Sequence, residues 1–170
     1  MDPLFDAQLI PRSVTNQLPS GYRMRPLVSS DYDKGVLDVL KVLTVVGNIS
    51  RSQFVDQFNY WKSKKDMYHT LVVLNEQDRV VGCGTVLVES KLIHECGKVG
   101  HIEDIAVAKD QQGKKLGLRI INALTEIGRA QGCYKIILDC SEHNVKFYEK
   151  CGFTRGGAEM VLKFQTPSKL

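Results

Sequence analysis

An amphipathic segment between two strand-like segments constrains the fold of this chain most strongly. Apolar residues recur at helical spacing from Leu116 to Ala130, which predicts a helix with one apolar face. Gly132 lies just past its predicted end, a position where glycine commonly ends helices. Residues 101–107 and 134–138 are predicted strands, and the second is nearly all apolar, as is typical of a strand buried on both faces. A strand, a helix and a strand in succession predict a mixed α/β domain.

The rest of the chain adds strands and helices to this unit. Ser30 is predicted as the N-cap of a helix that carries Val36, Val39, Leu40 and Leu43 on one face. Ser50 or Ser52 is predicted to start the next helix, and residues 144–150 form a short one. Further strands are predicted at residues 22–28, 70–74, 80–88 and 160–164, with a turn at 75–78 and a polar loop at 89–100.

The first twenty residues differ from the rest of the chain, because they hold prolines and show weak periodicity. They predict a poorly ordered N-terminal lead-in, with Leu4, Phe5, Leu9 and Ile10 as the residues through which it would dock. Residues 21–170 contain no repeat and no linker rich enough to mark a boundary, so they are predicted to form a single domain.

Composition excludes several classes of protein. The 170 residues are 43% hydrophobic and 25% charged, which is ordinary usage for a soluble domain. The net charge of +4 comes without a basic block and interleaved aromatic residues, so no nucleic-acid partner is expected. No apolar run reaches the roughly 18 residues of a membrane span, and no signal pattern appears, so the expected location is cytoplasmic.

The five cysteines indicate neither a metal site nor a disulfide framework. Their number is odd, their spacing is irregular and no Cys-x-x-Cys pair occurs. Cys83 and Cys140 lie in apolar runs and are predicted to be small core residues. No metal is expected.

A glycine-bearing loop joins the strand at 101–107 to the long helix. Backbone N–H groups at a helix start have no partner inside the helix, and together with the helix dipole they favour a phosphate. Gly113 and Gly117 allow a ligand close to the backbone, and Lys114 and Lys115 add positive charge. Taken alone, a tight turn with a packing glycine explains the loop equally well, since it is neither a Walker loop nor Gly-x-Gly-x-x-Gly.

Two motifs together carry a family resemblance. Gln112 and Gly117 match the first and last positions of the acetyl-CoA loop of the GNAT superfamily of N-acetyltransferases, Gln/Arg-x-x-Gly-x-Gly/Ala, and Lys115 replaces its middle glycine. The run from Asn144 to Phe153 is similar to the second hallmark of the superfamily, a helix with a tyrosine followed by Gly-Phe. The resemblance implies a GNAT fold, an α/β (α+β) architecture with a central mixed, mostly antiparallel sheet flanked by helices, and acetyl-CoA as cosubstrate.

A narrower resemblance extends over roughly residues 22–164. Residues 40–44, 93–95, 100–107 and 132–140 look like those of the glucosamine-6-phosphate N-acetyltransferase family. This implies direct acetyl transfer, in a ternary complex, to the 2-amine of glucosamine 6-phosphate on the route to UDP-N-acetylglucosamine. It also implies an intertwined homodimer with shared active sites.

Two alternatives stay open at this stage. One is a GNAT enzyme that acts on another amine, such as a protein N-terminus, a polyamine or an aminosugar. The other is a non-catalytic acetyl-CoA-binding module. A cationic segment from Lys91 to His94 favours an anionic acceptor, and the presence of Glu103 and Tyr148 favours an enzyme.

The predicted chemistry needs a neutral amine, a donor to the acyl oxygen and an acid for the thiolate. Glu103 and Asp104 are adjacent on a strand, so they point to opposite faces unless the strand is bulged there, as the resemblance implies. The Ile105 N–H then faces the thioester carbonyl. Tyr148 is the candidate acid, because a phenol holds its proton at neutral pH. The alternatives are that one of the two acids is a surface residue or the partner of a buried basic group, and that Tyr148 is a core residue.

Asp139 ends the strand at 134–138, the edge at which open α/β sheets bind ligands, and is assigned to the sugar hydroxyls or amine. Lys91 and His94 are assigned to the sugar phosphate, with Thr44 and, on the last predicted strand, Lys163. Each of these four has the alternative of a solvated surface residue. The predicted catalytic residues are Glu103, Asp104, Asp139 and Tyr148; the predicted acetyl-CoA contacts are Ile105, Ala106, Val107, Gln112, Gly113, Lys114, Lys115, Leu116, Gly117, Asn144, Phe147 and Tyr148; the predicted sugar-phosphate contacts are Thr44, Lys91, Leu92, Ile93, His94, Glu103, Asp104, Asp139 and Lys163.

Overall fold

The computed structural model describes residues 2–164. One compact unit runs to Leu138 and a second begins at Asp139. The first unit holds a five-stranded sheet in the order β1 to β5, in which β1–β4 pair antiparallel and β5 pairs parallel with β4. The sheet therefore confirms the expected mixed, mostly antiparallel architecture. The strands are β1 Arg23–Pro26, β2 Tyr68–Leu74, β3 Val80–Ser90, β4 Lys98–Val107 and β5 Cys133–Ile137.

Helices cover both faces of the sheet. In the first unit, α5 packs on β3 and β4 from one side, and α2 approaches the same strands. In residues 139–164, the part of the second unit that the structure describes, a helix is preceded by a 3-10 turn at Glu142–Asn144. The helices are α1 Arg12–Thr15, α2 Val36–Leu40, α3 Arg51–Ser63, α4 Ile93–Cys96, α5 Leu116–Ala130 and α6 Val145–Lys150, and the other 3-10 turns are Ala7–Leu9, Ser29–Tyr32 and Lys109–Gln111.

The apolar face of α5 forms the centre of the core. Ile120, Leu124 and Ile127 are fully buried, as are Leu71–Leu74 of β2. The helix begins and ends where its periodicity predicts, because an apolar stripe this regular fits a single register against the sheet. Among residues 2–164, no helix is both long enough and apolar enough to cross a membrane.

The N-terminal segment docks on the first unit. Leu4, Phe5 and Ile10 are buried, which confirms the predicted docking residues, whereas Leu9 is only half-buried. The Leu4 N–H donates to the Leu27 carbonyl at 2.9 Å, so the segment is tied by backbone as well as by apolar contact. The division at residue 20 and the single domain after it remain predictions.

The helix predicted from Ser30 is wrong in its start and its length. Ser30 lies inside a 3-10 turn, and α2 begins only at Val36, after Gly35 adopts the left-handed conformation with φ 88°. A left-handed residue interrupts the helical path, so Ser30 is not the cap. Leu43 lies beyond the end of α2 and is exposed. Ser50 is confirmed as the cap of α3, since its Oγ accepts from the Gln53 N–H at 3.3 Å.

The strand predicted at residues 160–164 is not formed, because no strand of the described chain pairs with it. β5 is also less buried than expected: Tyr134 and Ile137 are 42% and 40% exposed, since β5 is the edge strand of the sheet. The core prediction is confirmed for Cys83 and wrong for Cys140, which is exposed beyond the end of β5. Part of the predicted 89–100 loop belongs to β3 and β4.

Candidate active site

A β-bulge in β4 places the two adjacent acids. The pairing of β3 with β4 shifts between Cys83 and Thr85, so that Asp104 and Ile105 together oppose the single residue Gly84. Asp104 has φ 54°, a left-handed conformation that is uncommon outside glycine. The strand therefore changes face at this point, and the bulge expected between the adjacent acids is confirmed.

Gly84 is what allows α5 and Ile105 to pack against β3 at the bulge. A Cβ on Gly84 would lie 2.5 Å from Ile105 Cδ1, 2.8 Å from Ile120 Cγ2 and 3.0 Å from Leu124 Cδ1. These separations are shorter than van der Waals contact, so only glycine fits without rearrangement. The position of Ile105, the residue predicted to donate to the thioester, depends on this close approach.

Both adjacent acids are exposed, and Asp104 borders a cavity. Glu103 is paired with Thr85, whose hydroxyl lies 2.8 Å from that of Thr70. Asp104 and Thr85 line one wall of a cavity of about 370 Å³, where burial raises the pKa of Cys83 to about 12 and so keeps it a thiol. The apolar walls come from Leu27, Val36, Leu37, Leu40, Ile49, Phe54, Phe58 and Trp61.

The edge of β4 beyond His101 is open on the β5 side. The last pair between the two strands is His101 with Ile137, whereas β4 continues to Val107. Within the first unit, no strand covers this edge of residues 102–107. Ile105, Ala106 and Val107 lie in the open segment, where an extended ligand can pair with the strand as a neighbouring strand would.

The loop before α5 has the shape predicted for a phosphate site. Gly113 has φ 86°, and a Cβ built there meets no atom within 4 Å, so the loop is open to solvent. Gln112, Lys114 and Lys115 are exposed, and Gly117 is half-buried. The N–H groups at the start of this fifteen-residue helix have no partner inside the helix and favour an anionic group such as a phosphate. The Leu116 side chain is buried, so only its backbone is available to a ligand.

Lys115 adopts the left-handed conformation with φ 59° at the N-cap of α5. A non-glycine residue in this region costs about 1–2 kcal/mol. The middle glycine of the superfamily pattern is therefore replaced by a lysine that keeps a conformation glycine favours.

One residue that the sequence does not single out is tied to this loop. The Tyr22 hydroxyl donates to Gln111 Oε1 at 2.5 Å and accepts from Lys114 Nζ at 2.7 Å. Lys114 Nζ also donates to Gln111 Oε1 at 2.9 Å and lies 5.1 Å from the centre of the Tyr22 ring. No local motif marks Tyr22, because its partners are distant in the sequence.

The predicted cationic segment is partly neutralised. Lys91 Nζ donates to Glu89 Oε1 at 2.8 Å, and His101 Nε2 lies 2.7 Å from Glu89 Oε2. The bond from Lys91, followed by that from His101, lowers the pKa of Glu89. Glu89 and His101 are not among the predicted residues. The one sequence signal for them is that both lie on the same face of two neighbouring strands, β3 and β4.

Residues 94–96 have left-handed backbone conformations, so the short element α4 is a turn between β3 and β4 and not a regular right-handed helix. His94 has φ 52°, and its ring centre lies 4.3 Å from that of Tyr134 on β5. Leu92, Ile93 and His94 are exposed, and so is Thr44, which lies just beyond α2. The structure thus anchors His94 on β5 and leaves the rest of the segment open to solvent.

The second unit holds the predicted acid. Tyr148 lies on α6 in edge-to-face contact with Phe147 at 5.0 Å and with Phe153 at 6.2 Å. Burial, with smaller effects of Cys140 and Cys151, raises the pKa of Tyr148, so its proton is retained at neutral pH. Asn144 is the N-cap residue of α6, although its side chain makes no cap bond. Asp139 and Lys163 are exposed, and Lys163 is not on a strand.

Comparison with known proteins identifies the family. Residues 40–153 match the acetyltransferase (GNAT) family. The chain belongs to this family. It is 54% identical over 147 residues to the glucosamine 6-phosphate N-acetyltransferase of Candida albicans, with 86% of this chain and 99% of that protein covered. It is 48% identical over 151 residues to glucosamine 6-phosphate N-acetyltransferase 1 of Dictyostelium discoideum, covering 88% and 96%.

Solved structures agree with the fold. The crystal structure of glucosamine-6-phosphate N-acetyltransferase from Arabidopsis thaliana superposes with a TM-score of 0.83 at 36% identity, covering 85% of this chain and 99% of that one. As a GNAT acetyltransferase, this protein is an acetyl-transferring enzyme with acetyl-CoA as cosubstrate. Among residues 2–164, no three His, Cys, Asp or Glu side chains are grouped so as to hold a metal ion.

Proposed function

We propose that this enzyme transfers the acetyl group of acetyl-CoA to the 2-amine of glucosamine 6-phosphate, giving N-acetylglucosamine 6-phosphate and CoA, on the route to UDP-N-acetylglucosamine. The observation that carries the proposal is the similarity to the glucosamine 6-phosphate N-acetyltransferase of Candida albicans. This chain covers 99% of that protein at 54% identity. The bulged acids on β4, the phosphate loop before α5 and the protonated tyrosine of α6 are consistent with it.

Acetyl-CoA supplies a thioester, which an amine attacks directly. Gln112, Gly113 and the start of α5 to Gly117 hold its pyrophosphate through backbone N–H groups, and Lys114 and Lys115 add charge. The open edge of residues 105–107 holds the extended arm by strand-like pairing. Asn144 and Phe147 of α6 are further cofactor contacts by resemblance.

The acceptor amine must be neutral to attack. Glu103, Asp104 and Asp139 are all exposed carboxylates, able to orient an ammonium group and accept its proton. The bulge supports a role for both acids of β4, because it removes the strict alternation that would turn one of them away.

The Ile105 N–H donates to the acyl oxygen as that oxygen gains negative charge, which is the role of a preorganised oxyanion donor. Tyr148 acts as the acid by donating its O–H to the CoA sulfur as the thiolate leaves. Its raised pKa keeps the phenol protonated and so able to stabilise the thiolate of a thiol with an ordinary pKa of about 8.5.

The sugar phosphate needs cations, and Lys91, His94 and Lys163 are the proposed donors, with Thr44 as a hydroxyl donor. Leu92 and Ile93 lie in the same segment and are proposed to contact the sugar phosphate; they are 90% and 61% exposed. Because Glu89 already binds Lys91, the phosphate competes with that carboxylate for the ammonium.

A homodimer with shared active sites is part of the proposal. Met160, Val161, Leu162 and Phe164 are between 62% and 90% exposed, and β5 presents a half-exposed edge. Apolar side chains and an open strand edge of this kind favour cover by a second copy. The cytoplasmic location stays a prediction from the sequence.

Product analysis tests the proposal. Purified enzyme is incubated with acetyl-CoA and glucosamine 6-phosphate, and the sugar is examined by NMR while free thiol is titrated. We expect an amide at the 2-position and one thiol per sugar acetylated. Acetylation of spermine or of a peptide N-terminus, with the sugar unchanged, would contradict the proposed acceptor.

A further inference from the structure

The segment just before β1 contacts the loop that leads into α5. We propose that Tyr22 is a positioning residue for acetyl-CoA, which latches the cofactor loop through Gln111 and Lys114. The inference rests on the proposed role of residues 112–117 as the acetyl-CoA loop.

The hydrogen bonds among the three side chains form a closed set. Lys114 donates twice, Tyr22 donates once and accepts once, and Gln111 Oε1 accepts twice, at distances of 2.5 to 2.9 Å. Every donor in the triangle meets an acceptor with a free lone pair, so no protonation change or amide flip is needed to satisfy it. The Tyr22 and Gln111 side chains are half-buried, which partly shields the hydrogen bond between them from water, whereas the two bonds from Lys114 are exposed.

The latch joins parts of the chain that are remote in sequence. Tyr22 directly precedes β1, and 92 positions separate it from Lys114. β1 is fixed by antiparallel pairing with the buried strand β2, so its start is a rigid point of attachment. A loop held at Gln111 and again at Lys114 therefore has less freedom to lose when a ligand binds.

The conformation of the loop explains why such a restraint has an effect. Gly113 and Lys115 are both left-handed, and Lys115 holds this conformation at a cost that glycine would not incur. Lys114 lies between them. With two of its three N–H groups engaged by Tyr22 and Gln111, the ammonium keeps one donor for an anion. The latch thus fixes both the path of the backbone and the position of a positive charge.

Tyr22→Phe removes the hydroxyl and leaves the ring under the Lys114 ammonium. The dissociation constant of acetyl-CoA, measured by calorimetry, should rise about fivefold, or about 1 kcal/mol, as expected for two modest hydrogen bonds. The kcat and the KM for glucosamine 6-phosphate should stay unchanged, because the change affects ground-state binding of one substrate. A fall in kcat with unchanged affinity would overturn the inference.

Tyr32→Phe is a matched control within the same unit. The Tyr32 hydroxyl donates to the Ile49 carbonyl at 3.0 Å, and Arg51 lies 5.1 Å from the ring centre, so this change also removes one hydroxyl beneath a cation. The melting temperature of Tyr32→Phe measures how much stability is lost when a hydroxyl of this kind is removed away from the cofactor loop. We expect unchanged acetyl-CoA affinity in Tyr32→Phe. Equal weakening in both variants would assign the effect to general loosening and refute the latch.

A double-mutant cycle with Lys114→Met tests the coupling. If Tyr22 acts through the Lys114 ammonium, the two changes together should raise the dissociation constant by clearly less than the product of their separate effects. An effect equal to that product would refute the latch.

Gly117→Val separates failure of the latch from failure of the cofactor loop. A large rise in the acetyl-CoA dissociation constant for Gly117→Val, with no change for Tyr22→Phe, would refute the latch and leave the loop assignment standing. No change in either variant would remove the loop as the acetyl-CoA site, and the latch with it.

Discussion

Gly84→Ala probes the packing that supports the bulge. The added Cβ would lie 2.5 Å from Ile105 Cδ1, 2.8 Å from Ile120 Cγ2 and 3.0 Å from Leu124 Cδ1. The ends of Ile105 and Leu124 can rotate, but Ile120 Cγ2 is fixed by its branched Cβ inside the core. Overpacking of this kind costs about 1–3 kcal/mol.

The expected loss of stability can be set against the size of the chain. For domains of about 150–250 residues, 1 kcal/mol shifts the melting temperature by about 2–4 °C. A cost of about 2 kcal/mol therefore predicts a fall of about 4–8 °C. Activity should fall as well, because the closest contact is with Ile105 and displaces the residue whose N–H we propose to face the acyl oxygen. Removing one oxyanion donor costs about 10²–10³ in kcat, so partial displacement predicts a loss of about tenfold.

Circular dichroism melting and thiol release at saturating substrates measure the two effects. Gly157→Ala is the matched control, since a Cβ there meets no atom within 4 Å and its φ is not left-handed. A Gly84→Ala enzyme with the wild-type melting temperature would refute the packing argument. A lower melting temperature with wild-type kcat would leave the packing argument intact and remove Ile105 from the mechanism.

Three other single residues give predictions that can be measured. Tyr148→Phe should lower kcat at least about tenfold with little change in acetyl-CoA affinity, because it removes a proton donor and keeps the ring; a change in affinity alone would make Tyr148 a packing residue. His69 is buried against Phe5, and burial lowers its pKa below 6.5. The unfolded chain therefore binds a proton at His69 more readily than the folded protein does. The free energy of unfolding should have its full value above about pH 6.5, and it should fall by up to about 1.4 kcal/mol per pH unit from there down to the lowered pKa of the folded protein. In urea titrations, His69→Gln should reduce that slope, and an unchanged slope would assign it to other groups. Lys115→Gly should raise the free energy of unfolding by about 1 kcal/mol by relieving the left-handed lysine, whereas Lys109→Gly, outside that conformation, should not; equal effects would refute the strain argument.

The elements that the sequence predicts well are those with strong local signals. α5 is predicted to the residue because its apolar stripe is long and regular. The start of α3 is predicted to within two residues, and Ser50 is the one of the two candidate serines that caps it. The bulge at Asp104 is expected from the family resemblance, and strand geometry shows only that two adjacent acids need such a bulge to act on one substrate.

The elements that the sequence misplaces depend on distant partners. Ser30 is of a residue type that commonly caps helices, but the left-handed Gly35 interrupts the helical path, so α2 begins only at Val36. Residues 160–164 have the composition of a strand, yet a strand also needs a neighbour to pair with. Tyr22 joins the candidate site only through side chains far along the chain, which no local pattern reveals.

The most direct test of the proposed reaction compares kcat/KM for glucosamine 6-phosphate and glucosamine at saturating acetyl-CoA, measured by thiol release. A contact between a cationic side chain and a phosphate contributes about 1.5–3 kcal/mol. Contacts from Lys91 and His94 therefore predict a preference of at least about 10²-fold for the phosphorylated sugar. Equal values for the two sugars would contradict the phosphate assignment of Lys91 and His94 and the proposed acceptor, and would leave only an acetyltransferase whose amine substrate is still to be found.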